Sequence, residues 1–216
     1  MSTIAHHFEE GGFGMYPILF FQILAIGVIV ERAIYLYKSS INREVFLATM
    51  QKCILAGDIG RAIKLCSAAN APLARIVKAG LMKVNRPDSE VQAAMDEAAL
   101  IELPKIEHRT PLLALFANLA MLCGLLGTVV GLIAAFGAVA NADAASKATM
   151  LAKGISEAMN CTAFGLMAAI ISLIGFALHN TKTQKLIDDI NAATVQVVNL
   201  VVNNRSRVQL DDSQAA

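Results

Sequence analysis

Few residues in this sequence could do chemistry, and those few sit where the chain is otherwise oily. Thr128 lies inside GLLGTVVGLIAAF, residues 124–136, between Gly127 and Gly131. Thr162 lies in NCTAFG, and the carboxylate of Glu157 precedes it by five residues. A threonine in hydrocarbon usually bonds a carbonyl one turn back. A glutamate near a bilayer costs about 3 kcal/mol or more unless it meets water, a partner or a proton. Two hydroxyls on two apolar helices, with a carboxylate close to one of them in sequence, make Thr128, Thr162 and Glu157 candidate functional residues. Glu157 has a second reading, as an exposed residue at a helix start beside Lys153 at i−4. The remaining polar groups of these runs are Asn118, Asn160 and Ser172.

Other chemistries find no residues to carry them. The chain has no Ser-His-Asp arrangement, P-loop or metal-ligand spacing, so no catalytic residue, metal or cofactor is expected, and the protein reads as something other than an enzyme. Cys53 and Cys66 lie thirteen residues apart without a CxxC or a nearby His pair, and Cys123 and Cys161 fall in apolar runs. All four read as free thiols. A net charge of +1 gives no case for nucleic-acid binding.

The elements that must position these groups are membrane helices. Of 216 residues, 56% are hydrophobic and 16% charged, and the mean hydropathy is +0.57. That is too apolar for an ordinary soluble domain. Three uncharged stretches, 11–30, 110–142 and 158–178, reach the roughly 20 residues that a bilayer span requires. No alternating ten-residue segments suggest a barrel. The fold class is therefore an all-α integral membrane protein. It has three transmembrane helices, a helical cytoplasmic domain, and long helices extending from spans 2 and 3.

Lys and Arg set the expected orientation. Residues 1–10 carry none, 38–109 carry eleven, 143–157 carry two, and four follow Leu178. The positive-inside rule places the long loop and the C-terminal segment in the cytoplasm. The resulting division is a periplasmic N-terminus (1–10), span 1 (11–37), a cytoplasmic helical loop (38–109), span 2 (110–141), a short periplasmic link (142–153), span 3 (154–180), a cytoplasmic helical extension (181–204) and a disordered tail (205–216). The first run has no preceding cation and too long an apolar core for a cleaved signal peptide. Glu31, Arg32, Tyr35, Tyr37 and Lys38 form its interfacial anchor.

Within the loop, helices are expected over 44–56, 59–69 and 73–84, punctuated by Gly57-Asp58, Asn70-Ala71-Pro72 and Asn85-Arg86-Pro87. Asp88 can cap a fourth helix, with a bend or break near Pro104 and Pro111. Apolar residues at 186, 190, 193, 197 and 200 continue the third span at 3-4 spacing. They predict one helix from about 149 to 203, or else a separate tail helix joined by a kink near Asn180.

Two stripes of small residues run along the later spans. Ala117, Ala120, Gly124, Gly127, Gly131, Ala134 and Ala138 share one face of the second. Gly154, Ala158, Cys161, Gly165, Ala168, Ser172 and Gly175 share one face of the third. Small residues let membrane helices approach closely, so Gly124, Gly127, Gly131, Gly154 and Gly165 are expected packing-seam positions. The first span, with Phe20, Phe21, Ile23, Leu24, Ile26 and Ile29, is bulky and expected at the lipid-facing periphery. Two readings of the seams stay open. They could line the centre of a ring of copies, or pair with each other inside one protomer.

At these residues the chain resembles the ExbB/TolQ/MotA family. TPLLALFANLAMLCGLLGTVVGLIAAF, from Thr110, resembles its proline-led LLGTVxG signature, and GISEAMNCTAFGLMAAI, from Gly154, resembles its GIxEAxxxTAxGLxxAI signature. Three spans with a large cytoplasmic loop match ExbB and TolQ rather than four-span MotA. The resemblance covers residues 11 to about 203. Asn160 and Cys161 depart from the small apolar residues more usual beside the family threonine.

The resemblance implies a pentamer in the bacterial inner membrane around a dimer of ExbD/TolR-like single-span partners. The partner's membrane Asp takes up and releases protons. The family's two threonines and its glutamate then correspond to Thr128, Thr162 and Glu157. The implied function is a proton-conducting stator subunit of a motor that drives work at the cell envelope, as energised transport or envelope maintenance. A gliding-motility motor and a sodium-driven relative are alternatives within the class. A structural membrane scaffold is the rival from outside it.

Overall fold

The computed structural model describes residues 12, 14–140 and 143–204. The expected N-terminal segment 1–10 and tail 205–216 lie outside them. Seven helices occur among the described residues: α1 (Met15–Ser39), α2 (Arg43–Leu55), α3 (Ile59–Ala68), α4 (Pro72–Leu81), α5 (Asp88–Glu107), α6 (Thr110–Ala140) and α7 (Ala144–Asn203). Three of the helical stretches are long and apolar enough to cross a membrane. They carry the three expected spans, and the chain is an all-α membrane protein.

The chain divides into two compact units, one drawn from Met1–Arg32 and Arg109–His179, the other from Ala33–His108 and Asn180–Ala216. In the first unit, α1 buries Met15, Ile18, Gln22 and Ala25, a 3-4 stripe, and exposes Tyr16, Phe20, Ile23 and Ile26. Helix α6 likewise buries Leu113, Ala117, Ala120 and Gly124 while exposing Leu122, Leu125, Leu126, Val129 and Ile133. Buried small residues and exposed large apolar ones are the reverse of a soluble protein's pattern. They are what a helix needs when its outer face meets lipid and its inner face meets a backbone. Ile18, Ala120, Cys161 and Ala168 form this unit's core, with Phe21, Cys123 and Phe164 packed against it.

The second unit has a conventional apolar core. Met50, Ile54, Cys66, Ile76, Val77, Leu81, Val91 and Met95 from α2–α5 pack with Ile190, Ala193, Val197 and Val201 of α7. Local chemistry fixes its turns. Gly57, at φ +77°, ends α2 in a left-handed conformation that a side chain would resist. Asp58 N–H then reaches Cys53 O at 3.1 Å and Gly57 N–H reaches Ile54 O at 3.1 Å, the paired bonds of a glycine-terminated helix. The Asp58 carboxylate accepts from Arg61 N–H at 2.7 Å and starts α3. Extended Ala71 precedes Pro72 at the first turn of α4. Glu102, on α5, is buried and accepts from Arg75 Nε at 2.9 Å and from Lys105 Nζ at 2.8 Å, which ties α4 to α5. Arg43 and Asp189 pair at 3.3 Å, tying α2 to α7.

The expected break near Pro104 and Pro111 falls between them, after Glu107, while Pro104 stays inside α5. Proline removes the bond to the Leu100 carbonyl, but Leu100 is exposed, so water can replace that partner. Pro87, rather than Asp88, occupies the N-cap of α5, and Asp88 joins its first turn. The expected continuous helix is present with no interruption at Asn180, but it starts at Ala144 rather than near 149, so α7 has 60 residues. Helix α4 ends at Leu81, three residues before the expected end at 84.

Candidate functional site: a hydroxyl pair between two small-residue helices

The two candidate threonines meet. Thr128 Oγ1, on α6, and Thr162 Oγ1, on α7, are in direct hydrogen-bond contact. Thr128 Oγ1 also lies 3.1 Å from Gly124 O and 3.3 Å from Ala158 O. Thr162 Oγ1 lies 3.3 Å from the same Gly124 carbonyl. Two hydroxyls bring two protons to a site with more acceptors than that. One proton can join the hydroxyls and the other can go to a carbonyl, which leaves oxygen lone pairs able to accept from a further donor. A protonated carboxyl or a water is such a donor. Both residues are half-buried, so the pair borders a packed interface rather than being sealed inside it.

Glycine makes this closeness possible. A Cβ on Gly165 would lie 2.9 Å from Gly124 Cα and 3.0 Å from Ala120 O. A Cβ on Gly124 would lie 3.1 Å from Gly165 Cα and 3.2 Å from Cys161 O. These are backbone atoms with nowhere to go, so any side chain forces the helices apart. Gly127 faces the Cys161 side chain, Gly131 faces Ala158, and Gly154 faces Ala135. The two seams therefore face each other within one protomer. At its far end the α6 seam runs through buried Ala135, while Ala134 and Ala138 are exposed.

Glu157 stands apart from the hydroxyls. Five residues of helix separate it from Thr162, which turns it roughly 140° around α7. It is half-buried, and its carboxylate lies against the α-carbon of Gly12, which has φ +63°. A side chain at Gly12 would occupy the position of the Glu157 Oε1 atom.

Sequence reasoning missed Gln22. It is buried on α1, and its side chain lies 3.4 Å from Ser172 Oγ. The Ser172 hydroxyl also donates to Ala168 O at 2.9 Å. One proton cannot serve both, so the Gln22 amide is better oriented with its NH2 donating to Ser172, an exchange of O and N that leaves the contact distance unchanged. The signal was present, since Gln22 is the lone amide in an apolar run that otherwise reads as bulky. At the other end of this unit Glu31 and Arg109 form an ion pair at 2.5 Å, and Arg32 and His179 are both buried. The four cysteines are free thiols.

Three apolar helices, a glycine-tight α6–α7 interface and a hydroxyl pair set into it define a polytopic membrane protein built to place polar oxygens beside close-packed backbone. Residues 68–192 match the MotA/TolQ/ExbB proton channel family. The chain is 30% identical over 165 residues to the ExbB-like 3 biopolymer transport protein of Synechocystis sp., covering 76% of this chain and 79% of that one. It is 32% identical over 177 residues to ExbB-like 1 of the same organism, covering 78% and 67%. It is 41% identical over 83 residues to the Tol-Pal system protein TolQ of Haemophilus influenzae, covering 38% and 36%. The chain belongs to the MotA/TolQ/ExbB proton channel family.

Proposed function

We propose that this chain is a proton-conducting stator subunit of an ExbB/TolQ-like motor in the bacterial inner membrane. It works with a dimer of ExbD/TolR-like single-span partners inside a ring of its own copies, five by family resemblance, to drive energised transport or envelope maintenance. The observation that carries this reading is the Thr128–Thr162 hydroxyl pair in a member of a proton channel family. A carboxyl on a partner helix entering apolar surroundings has its pKa raised by desolvation. The spare acceptors of the hydroxyl pair give its protonated form a hydrogen-bond partner and its ionised form a place to hold water. One charge falling through 100 mV releases about 2.3 kcal/mol, enough to bias a step coupled to protonation.

Glu157 serves as the polar entry on the periplasmic side, with the N-terminus outside and the 38–109 loop and the C-terminal segment in the cytoplasm. The spans occupy 11–37, 110–141 and 154–180, the last two joined outside by the 142–153 link.

Reconstitution with an ExbD/TolR-like single-span protein tests the reading. Vesicles holding both chains should take up protons down an imposed pH gradient, and vesicles holding either chain alone should not. Thr162→Ala and Glu157→Gln should abolish uptake with the oligomer intact. Uptake driven by sodium alone would move the chain to the sodium-driven class. An assembled complex that carries neither ion would make it a scaffold.

A further inference from the structure

Charge is sharply divided within the second unit. Residues 59–87, which hold α3 and α4, carry six cations and no Asp or Glu. Residues 88–107, which form α5, carry six acids and one Lys, a formal balance of −6 + 1 = −5. Some of this charge is used internally, because Arg75 and Lys105 both bind Glu102. Much of it is not. Arg61, Lys64 and Lys83 are exposed on one side of the division, and Asp96 and Glu97 on the other.

Each region also presents exposed apolar surface. On α5 the core-facing positions are Val91, Met95, Glu102 and Ile106. The opposite face carries Asp96, Glu97, Leu100 and Ile101, at 3-4 spacing. Leu100 is 77% exposed and Ile101 55% exposed. Beyond α4, Met82 is 66% exposed beside Lys83. An apolar centre rimmed by one sign of charge is the make-up of a specific protein interface. The acids beside Leu100 and Ile101 would be repelled by an anionic leaflet, which argues against a lipid surface as the occupant of that face.

We propose that the acidic face of α5, centred on Leu100 and Ile101, docks on the basic 59–87 region, with its exposed Arg61, Lys64, Met82 and Lys83, of the next copy of this chain. Complementarity inside a single sequence selects a second copy over an unrelated partner. Because the two patches differ, the contact is heterologous, and repeated around an axis it closes a ring. The inference rests on the oligomer of the proposed function, and it assigns the contact between copies to the second unit.

The test uses two full-length chains, differently tagged and expressed together in membranes. One carries a photo-crosslinking amino acid in place of Leu100. Light should join the two tags, with the cross-linked peptide falling within residues 59–87 of the second copy. Asp96→Lys with Glu97→Lys on the first chain should cut the yield about fivefold, the effect of losing roughly 1 kcal/mol of rim electrostatics. Arg61→Glu with Lys64→Glu on the second chain should restore it. Cross-links confined to one copy, to lipid or to a different protein would overturn the proposal while native mass spectrometry still finds wild-type rings. Wild-type monomers in that measurement would overturn the oligomer itself.

Discussion

Replacing Gly165 with alanine adds one methyl group at the tightest point between α6 and α7. The new Cβ would stand 2.9 Å from Gly124 Cα and 3.0 Å from Ala120 O. Carbon atoms in good contact sit about 3.5–4.0 Å apart, so the helices must separate by roughly 0.5–1 Å. The Thr162 Oγ1 to Gly124 O distance is already 3.3 Å, and such a shift carries it beyond hydrogen-bond range. Thr128 moves with α6 and Thr162 with α7, so their mutual contact lengthens by a similar amount. Overpacking of this kind costs about 1–3 kcal/mol.

Gly27→Ala is the control, because nothing lies within 4 Å of a Cβ there and alanine favours the helix by up to about 1 kcal/mol. The assay is paired, with apparent Tm in mild detergent and partner-dependent proton uptake in vesicles. Gly165→Ala should lower both, and Gly27→Ala should leave uptake unchanged and Tm equal or higher. Wild-type Tm and uptake in Gly165→Ala would refute the claim that backbone contact at this glycine sets the geometry of the hydroxyl pair.

Three further outcomes follow from the second unit and one from the first. Burial pushes the Glu102 carboxyl up, but hydrogen bonds and charge from Arg75 and Lys105 outweigh it and hold the group below the usual range. A depressed folded value stabilises the protein above the unfolded value of about 4.3 and is lost as the pH falls through the folded one. Glu102→Gln should therefore cost about 1–2 kcal/mol at pH 7, and its Tm deficit should shrink in acid. Asp58→Ala removes the cap of α3 and should cost about 1 kcal/mol in thermal unfolding. Burial pushes the Cys66 thiol up to about 11, so at pH 8 only about one molecule in a thousand carries the thiolate, and an alkylating reagent should label Cys66 only after unfolding. Gln22→Leu should lower the apparent Tm only slightly, since interhelical hydrogen bonds in membranes average about 0.6 kcal/mol.

The sequence revealed faces more readily than partners. Small residues at 3-4 spacing identified the stripes of α6 and α7, because that spacing reads off which side of a helix a residue occupies. The same pattern is produced by a seam that meets another copy and by one that meets its own chain, and the distinction emerged only with Gly124 against Gly165. At 3-4 spacing the α6 stripe continues to Ala134 and Ala138. A straight helix drifts about 20° per heptad, and over two heptads that drift moves the contact to Ala135.

Residues that act locally were legible. Gly57 and Asp58 fix their own backbone, so the α2–α3 turn could be placed without tertiary information. Gln22 was hidden for the opposite reason, since its role depends on Ser172, 150 residues away. The polar residues of 144–153 obscured the start of α7, where no apolar stripe signals a helix. Thr128 and Thr162 were singled out by type and by the family signatures, but their direct contact depends on how closely the intervening glycines let the helices approach.

The most direct measurement is a hydroxyl series at the threonine pair, read as partner-dependent proton uptake in vesicles. Valine keeps the branched shape and removes the hydroxyl, while serine keeps the hydroxyl. Thr162→Ser and Thr128→Ser should retain most of the uptake, and the Thr128→Val, Thr162→Val double variant should lose it while its oligomer and Tm stay near wild type. Wild-type uptake in the double valine variant would contradict a proton path through these oxygens.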